Sequence, residues 1–187
     1  GETLFSTAQE ARRNDLLVYF ALSLFDKRQA YSQMPDGLKR DIKSFFQSIT
    51  SAQEEAREIL FSVGNPEVIQ EACVAAQQQL KCGEYTEGHS FTFHKDFLND
   101  LPPTLRIYIG CALQLYGDIE EIQLVKAHIR SGKVSLMRYK DWDKEVPLLT
   151  ERIKIKLREL DIDFFDYVGD YEPTPLLNKF EFYLPPC

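Results

Sequence analysis

The feature that most constrains this chain is a change of hydrophobic period near residue 120. Before it, apolar residues recur three and four positions apart, as on the buried stripe of a helix. After it, they alternate with polar residues, as on a strand buried on one side only. A chain that switches period once, without an alternating βα pattern, belongs to the α+β class. The expected architecture is an N-terminal helical bundle packed with a C-terminal, mainly antiparallel sheet. Residues 1–120 form the mainly helical part and 121–187 the antiparallel β part, together in one compact unit.

The helical half carries its own start and stop signals. Thr7 to Glu10 reads as a capping box, followed by Leu17, Phe20, Ala21, Leu24 and Phe25 at helical spacing. Leu16, Val18, Tyr19 and Leu22 fill most of the remaining positions, which predicts a central helix buried on several sides. Pro35-Asp36-Gly37 breaks the chain before an amphipathic helix carrying Leu38, Ile42, Phe45, Phe46 and Ile49. Ser51 to Glu54 reads as a second capping box, for a helix that stops at Gly64. Asn65-Pro66 then supplies an N-cap and a first-turn proline for a fourth helix reaching about Gln79. Pro102-Pro103 opens a fifth helix ending at Gly117-Asp118. Gly110 within it weakens the helix and either allows a close backbone contact or is a tolerated glycine.

Ser90 to Phe93 is a candidate short strand, flanked by the helix-breaking Gly83 and Gly88. Val125, Ala127 and Ile129 alternate with Lys126, His128 and Arg130; Ser131-Gly132 makes a turn, and Val134 and Leu136 return. Ile153, Ile155 and Leu157 alternate with Arg152, Lys154, Lys156 and Arg158. Ile162 to Phe165 comes back, and Phe180 to Phe182 is placed to close the sheet. Four or five strands are expected, with helices on one face.

Charge narrows the function classes. The net charge of −7 disfavours non-specific attraction to polyanions or anionic lipid, but it is unevenly spread. Residues 1–120 carry −6, residues 121–160 carry +4, and residues 161–187 carry −5. No apolar run approaches the ~20 residues that cross a bilayer. The opening residues lack the basic start and apolar stretch of an export signal, so a cytoplasmic location is expected. Cys73, Cys82, Cys111 and Cys187 lack paired spacing and fit reduced thiols. An opening Gly1 also fits a piece cut from a longer protein.

No glycine-rich phosphate loop, HExxH or GxSxG pattern occurs, and no cofactor is expected in this chain. His89 and His94 near Cys82 are conceivable zinc ligands, but their spacing matches no standard site. Asp161, Asp163 and Asp166 suggest a magnesium cluster. Alternation, however, puts the first two on one strand face and the third on the other. The strongest chemical signal is basic. Lys126, His128 and Arg130 project from one side of their strand, and Arg152, Lys154, Lys156 and Arg158 from one side of another. Lys133 follows the intervening turn. If the strands share a sheet, these side chains make one patch able to meet nucleic-acid phosphates or an acidic partner. The competing reading is a solvated face with local ion pairs, in which a two-residue turn at Leu160-Asp161 sets Arg158 opposite Asp163.

Three stretches together are distinctive: Ala8 to Leu22, Leu105 to Asp118, and His128 to Leu136 with Glu151 to Arg158. They resemble the region following the catalytic domain in DNA phosphorothioation-associated putative methyltransferases, and Asp161 to Tyr167 also fits. The likeness covers nearly the whole chain. Members of that family begin with an S-adenosylmethionine-binding domain whose glycine-rich turn has no counterpart here. The resemblance therefore implies a non-catalytic accessory region that holds DNA, or a protein partner of a DNA modification and restriction system. A protein-interaction module without DNA binding, or a metal-dependent nuclease on the Asp161 to Asp166 strand, are the competing expectations.

Overall fold

The computed structural model describes residues 2–26, 35–167 and 173–183. The order is α1 (Glu2–Asp26), α2 (Asp36–Phe46), α3 (Ile49–Ser62), α4 (Pro66–Leu80), β1 (Glu84–Thr86), β2 (Ser90–His94), a 3-10 turn (Lys95–Asp100) and α5 (Pro103–Tyr116). Then come β3 (Leu124–His128), β4 (Lys133–Lys140), β5 (Leu148–Lys156), β6 (Asp161–Asp166), β7 (Thr174–Pro175) and the short α6 (Lys179–Phe182). The fold is α+β.

All strand pairs are antiparallel, in the order β1-β2-β3-β4-β5-β6, and β7 extends β6's side of β5 by pairing with Leu148 and Leu149. The first two strands come from residues 84–94, ahead of the change of period. Glu84 to Thr86 alternates too briefly for its strand to be read from the sequence.

Alternation decides which side is covered. Phe91, Phe93, Val125, Ala127, Val134, Leu136, Ile153 and Ile155 all point to one face and are fully buried. They pack with Ile69, Cys73 and Ala76 of α4 and with Leu105, Tyr108, Ile109 and Ala112 of α5. The opposite side of α5, through Ile107 and Cys111, joins Leu16, Leu17, Phe20 and Ala21 of α1 and the buried residues of α2 and α3. The central helix is thus α5. α1 is buried only in its second half, and Thr3 to Ala11 are exposed. At Gly110, Leu22 reaches the helix backbone so closely that a Cβ there would stand 2.8 Å from Leu22 Cδ2. Of the two readings of this glycine, the close contact is the one found.

Other local expectations are corrected. Thr7 lies inside α1, its hydroxyl donating to the Thr3 carbonyl at 2.8 Å, so it caps nothing. The cap of α3 is Ser48, whose hydroxyl accepts from the Ser51 amide; the start lies three residues before the expected one. The Asn65 cap and first-turn Pro66 of α4 stand as expected. Phe180 to Phe182 is no strand: it belongs to α6, which turns Phe182 into a second small core with Leu124, Met137 and Leu149. That core lies on the sheet face opposite the helices and covers one end of it. Among the described residues no helix is long and apolar enough to cross a membrane.

Candidate anion-binding face of the sheet

Among the described residues, the remainder of the face opposite the helices is left open, and the register places its residues in rows across the strands. One row runs Glu84, Thr92, Lys126, Ser135, Lys154, Asp163. A neighbouring row holds Ser90 and His128, with Lys133, Lys156 and Asp161 beyond. On the other side come Met137, Arg152 and Phe165, where the small core begins. Lys126, His128, Lys133, Arg152, Lys154 and Lys156 therefore share one sheet face. Arg130 and Arg158 do not. Arg130 lies in the β3–β4 turn and pairs with Glu67 of α4 at 3.6 Å, and Arg158 donates to the Arg130 carbonyl at 2.9 Å.

The turn before β6 explains the second displacement. It spans residues 157–160, with Leu160 at φ 52°, instead of two residues at Leu160-Asp161. Asp163 consequently faces Lys154, and Asp161 faces Lys156. Lys156 gathers three carboxylates, those of Asp163 at 3.1 Å, Glu159 at 3.3 Å and Asp161 at 3.4 Å. Hydrogen bonding to Asp163, then to Glu159, holds its ammonium above the ordinary lysine range. Asp161 and Asp163 thus neutralise a lysine. Among the described residues, no three His, Cys, Asp or Glu side chains gather as a metal site.

Because Lys156 takes Asp163, its neighbours stay uncompensated. Among the described residues, Lys126, Arg152 and Lys154 make no ion pair. All three are half-buried. Arg152 Nε is enclosed without a hydrogen-bond partner. Burial, followed by the Arg152 charge, pushes the Lys126 ammonium below its ordinary value, with Lys154 adding to the effect and Glu84 opposing it. Crowded like charges in a partly desolvated place favour a bound anion.

The floor beneath them is polar and closed. Ser135 is 1% exposed and Ser90 3%. His128 Nε2 is 3.0 Å from Ser135 Oγ, and His89 Nδ1 is 2.8 Å from Ser90 Oγ. The two imidazoles meet edge to face at 5.8 Å. Burial first, then Lys126, His89, Lys154 and Arg152, pushes His128 down to about 4, so near neutrality it is an uncharged hydrogen-bonding group. His94 belongs elsewhere: it sits against Tyr183 at 4.4 Å and Trp142 at 5.2 Å, and its Nδ1 accepts from the Asp96 amide. Cys73 and Cys111 are buried free thiols, Cys82 is buried, and Cys187 lies outside the described residues. Burial pushes the Cys73 and Cys111 thiols up to about 12, which leaves them inert as nucleophiles at neutral pH.

Sequence reasoning missed the hydroxyl floor and the rim carboxylate Glu84. Ser90 and Thr92 alternate with Phe91 and Phe93, which signals a strand, but only pairing with β3 shows that they border the cations. No family model, no curated protein and no solved structure matches this chain.

Proposed function

We propose that this chain is a non-catalytic nucleic-acid-binding module that holds backbone phosphates on the open sheet face, through Lys126, Arg152 and Lys154. The observation that carries the reading is that, among the described residues, these three half-buried cations make no ion pair, beside a fourth, Lys156, that makes three. A solvated structural face would pair its charges locally, as Lys156 does, or spread them out. Phosphate oxygens are the chemistry that such a cluster over hydroxyl groups complements. The resemblance of Ala8 to Leu22, Leu105 to Asp118 and the β3 to β5 segment gives the setting, a DNA phosphorothioation system. The module would hold DNA there, next to whatever enzyme acts on it.

Fluorescence anisotropy with labelled plain and phosphorothioated DNA over a salt series tests the reading. Three phosphate contacts predict a logarithmic salt slope of about −2 to −3. Lys126→Glu with Lys154→Glu should abolish binding, whereas Lys43→Gln on α2, in the helical layer, should leave it unchanged. Absent or salt-independent binding overturns the proposal, and salt-dependent capture of an acidic protein without DNA binding would favour a protein-docking role.

A further inference from the structure

We infer that the nucleic acid this face selects is a single strand, with its phosphates on the Lys126–Lys154 strip and a base stacked on Phe165. The inference rests on the phosphate-binding reading above and specifies its ligand.

Width is the first argument. Lys126 and Lys154 flank Ser135 in one row, two strand spacings apart, or about 10 Å. Beyond them the sign reverses on both sides. Glu84 lies two strands outward from Lys126, and Asp163 one strand outward from Lys154. The positive strip accommodates one phosphodiester track between acidic borders. In a duplex the second backbone follows across a groove of about 6 or 12 Å, which would set its phosphates over one of those borders.

The second argument is an aromatic surface beside the strip. Phe165 is directly opposite Arg152 in the β5–β6 ladder and therefore on the same face. It is 44% exposed, and Lys154 Nζ lies 5.8 Å from its ring centre. With Phe164, Asp166 and Tyr167 it lines a surface hollow at the β6 edge. A cation row with an exposed ring alongside is the arrangement by which single strands are held without sequence readout, because an unpaired base offers a free face to the ring. Bases within a duplex offer none. The track also has a fixed end: past Arg152, Phe182 and its small core cover the face.

The test compares a fluorescein-labelled oligothymidylate with a blunt duplex of equal length, at one low salt concentration, on the whole chain. The single strand should bind more tightly. Phe165→Ala should weaken it by roughly tenfold and leave the duplex unchanged, while Phe165→Trp restores it. Glu84→Gln with Asp163→Asn should narrow the gap between the two ligands by strengthening the duplex more. Equal or tighter duplex binding, or an equal loss of both ligands in Phe165→Ala, overturns this inference and leaves phosphate binding standing. Failure of the unaltered chain to bind either ligand overturns both.

Discussion

His128 Nε2 lies 3.0 Å from Ser135 Oγ, on the floor of a face whose nearest charges are Lys126, Lys154 and Arg152. The imidazole is thus held neutral by burial and by cations, with His89 as its remaining titratable neighbour. The unfolded chain takes up this proton near 6.5, the folded chain only at about 4. Stability from neutral His128 is therefore complete above the unfolded value and is lost as pH falls through the interval. By about pH 5 the loss is on the order of 1–2 kcal/mol, allowing for partial exposure. Urea denaturation of the wild type and His128→Gln at neutral pH and at about pH 5 checks it. The wild type should lose more stability than the variant, and parallel losses would refute the assignment. A bound anion reverses the preference, so DNA affinity should rise on acidification in the wild type and much less in His128→Gln.

Tyr108 on α5 fixes the far end of the same hairpin. Its hydroxyl donates to the carbonyls of His128, at 2.8 Å, and Lys133, at 3.1 Å, so the helix layer grips the strands that carry the cations. Burial keeps the phenol protonated throughout the ordinary pH range. Tyr108→Phe keeps the ring in the core and leaves both carbonyls without this donor, a loss of about 1 kcal/mol. Amide exchange should accelerate at residues 129–133 ahead of the rest of the sheet. Unchanged stability and exchange would show that the hydroxyl is incidental.

The division between helices and sheet was legible because it depends on hydrophobic period, which local sequence carries directly. The pairing of β5 with β6 was not. A turn of four residues and a turn of two differ here in whether Leu160 adopts φ 52°, and an aliphatic residue gives no sign of that backbone. The slip exchanged the neighbours of Asp163, with Lys154 taking the place expected for Arg158. Which basic residues are neutralised follows from that register, so the sequence marked a basic face but not its unpaired cations. Arg130 was misassigned for a related reason: alternation was continued past His128, where the strand ends and the chain turns toward α4.

Gly110 was legible as either a contact or a tolerated glycine, and the structure gives the contact, with Leu22 as its partner. Alanine there would gain up to about 1 kcal/mol of helix propensity. Its Cβ would meet Leu22 Cδ1 and Cδ2 at 2.9 and 2.8 Å, atoms at the end of a side chain that lines a surface hollow and has room to turn. The two effects should nearly cancel, so Gly110→Ala is expected within about 1 kcal/mol of wild type. Gly110→Ile leaves no such escape and should cost roughly 2–3 kcal/mol, reduced when combined with Leu22→Ala. Thermal denaturation of the four proteins closes the cycle. Strictly additive single effects would mean that the Leu22 contact does not limit this position.

Phe182 tests whether the small core on the open face belongs to the cooperative fold. It is 3% exposed against Leu124, Met137 and Leu149, and α6 is further held by Lys179, which donates to the Trp142 and Lys144 carbonyls. The Lys179 ammonium also lies 5.1 Å from the Trp142 ring centre. Phe→Ala in a core costs about 3–5 kcal/mol, the lower end applying where neighbours or solvent can fill the space. Phe182 lies beside an exposed strip at the last described helix, so a loss near 3 kcal/mol is expected. Trp142 is the single tryptophan, so its fluorescence reports this region while far-ultraviolet dichroism reports the helices. In a cooperative fold both urea transitions shift together in Phe182→Ala. A fluorescence transition that moves alone would instead make α6 a separately melting latch, able to lengthen the positive track whenever it lifts.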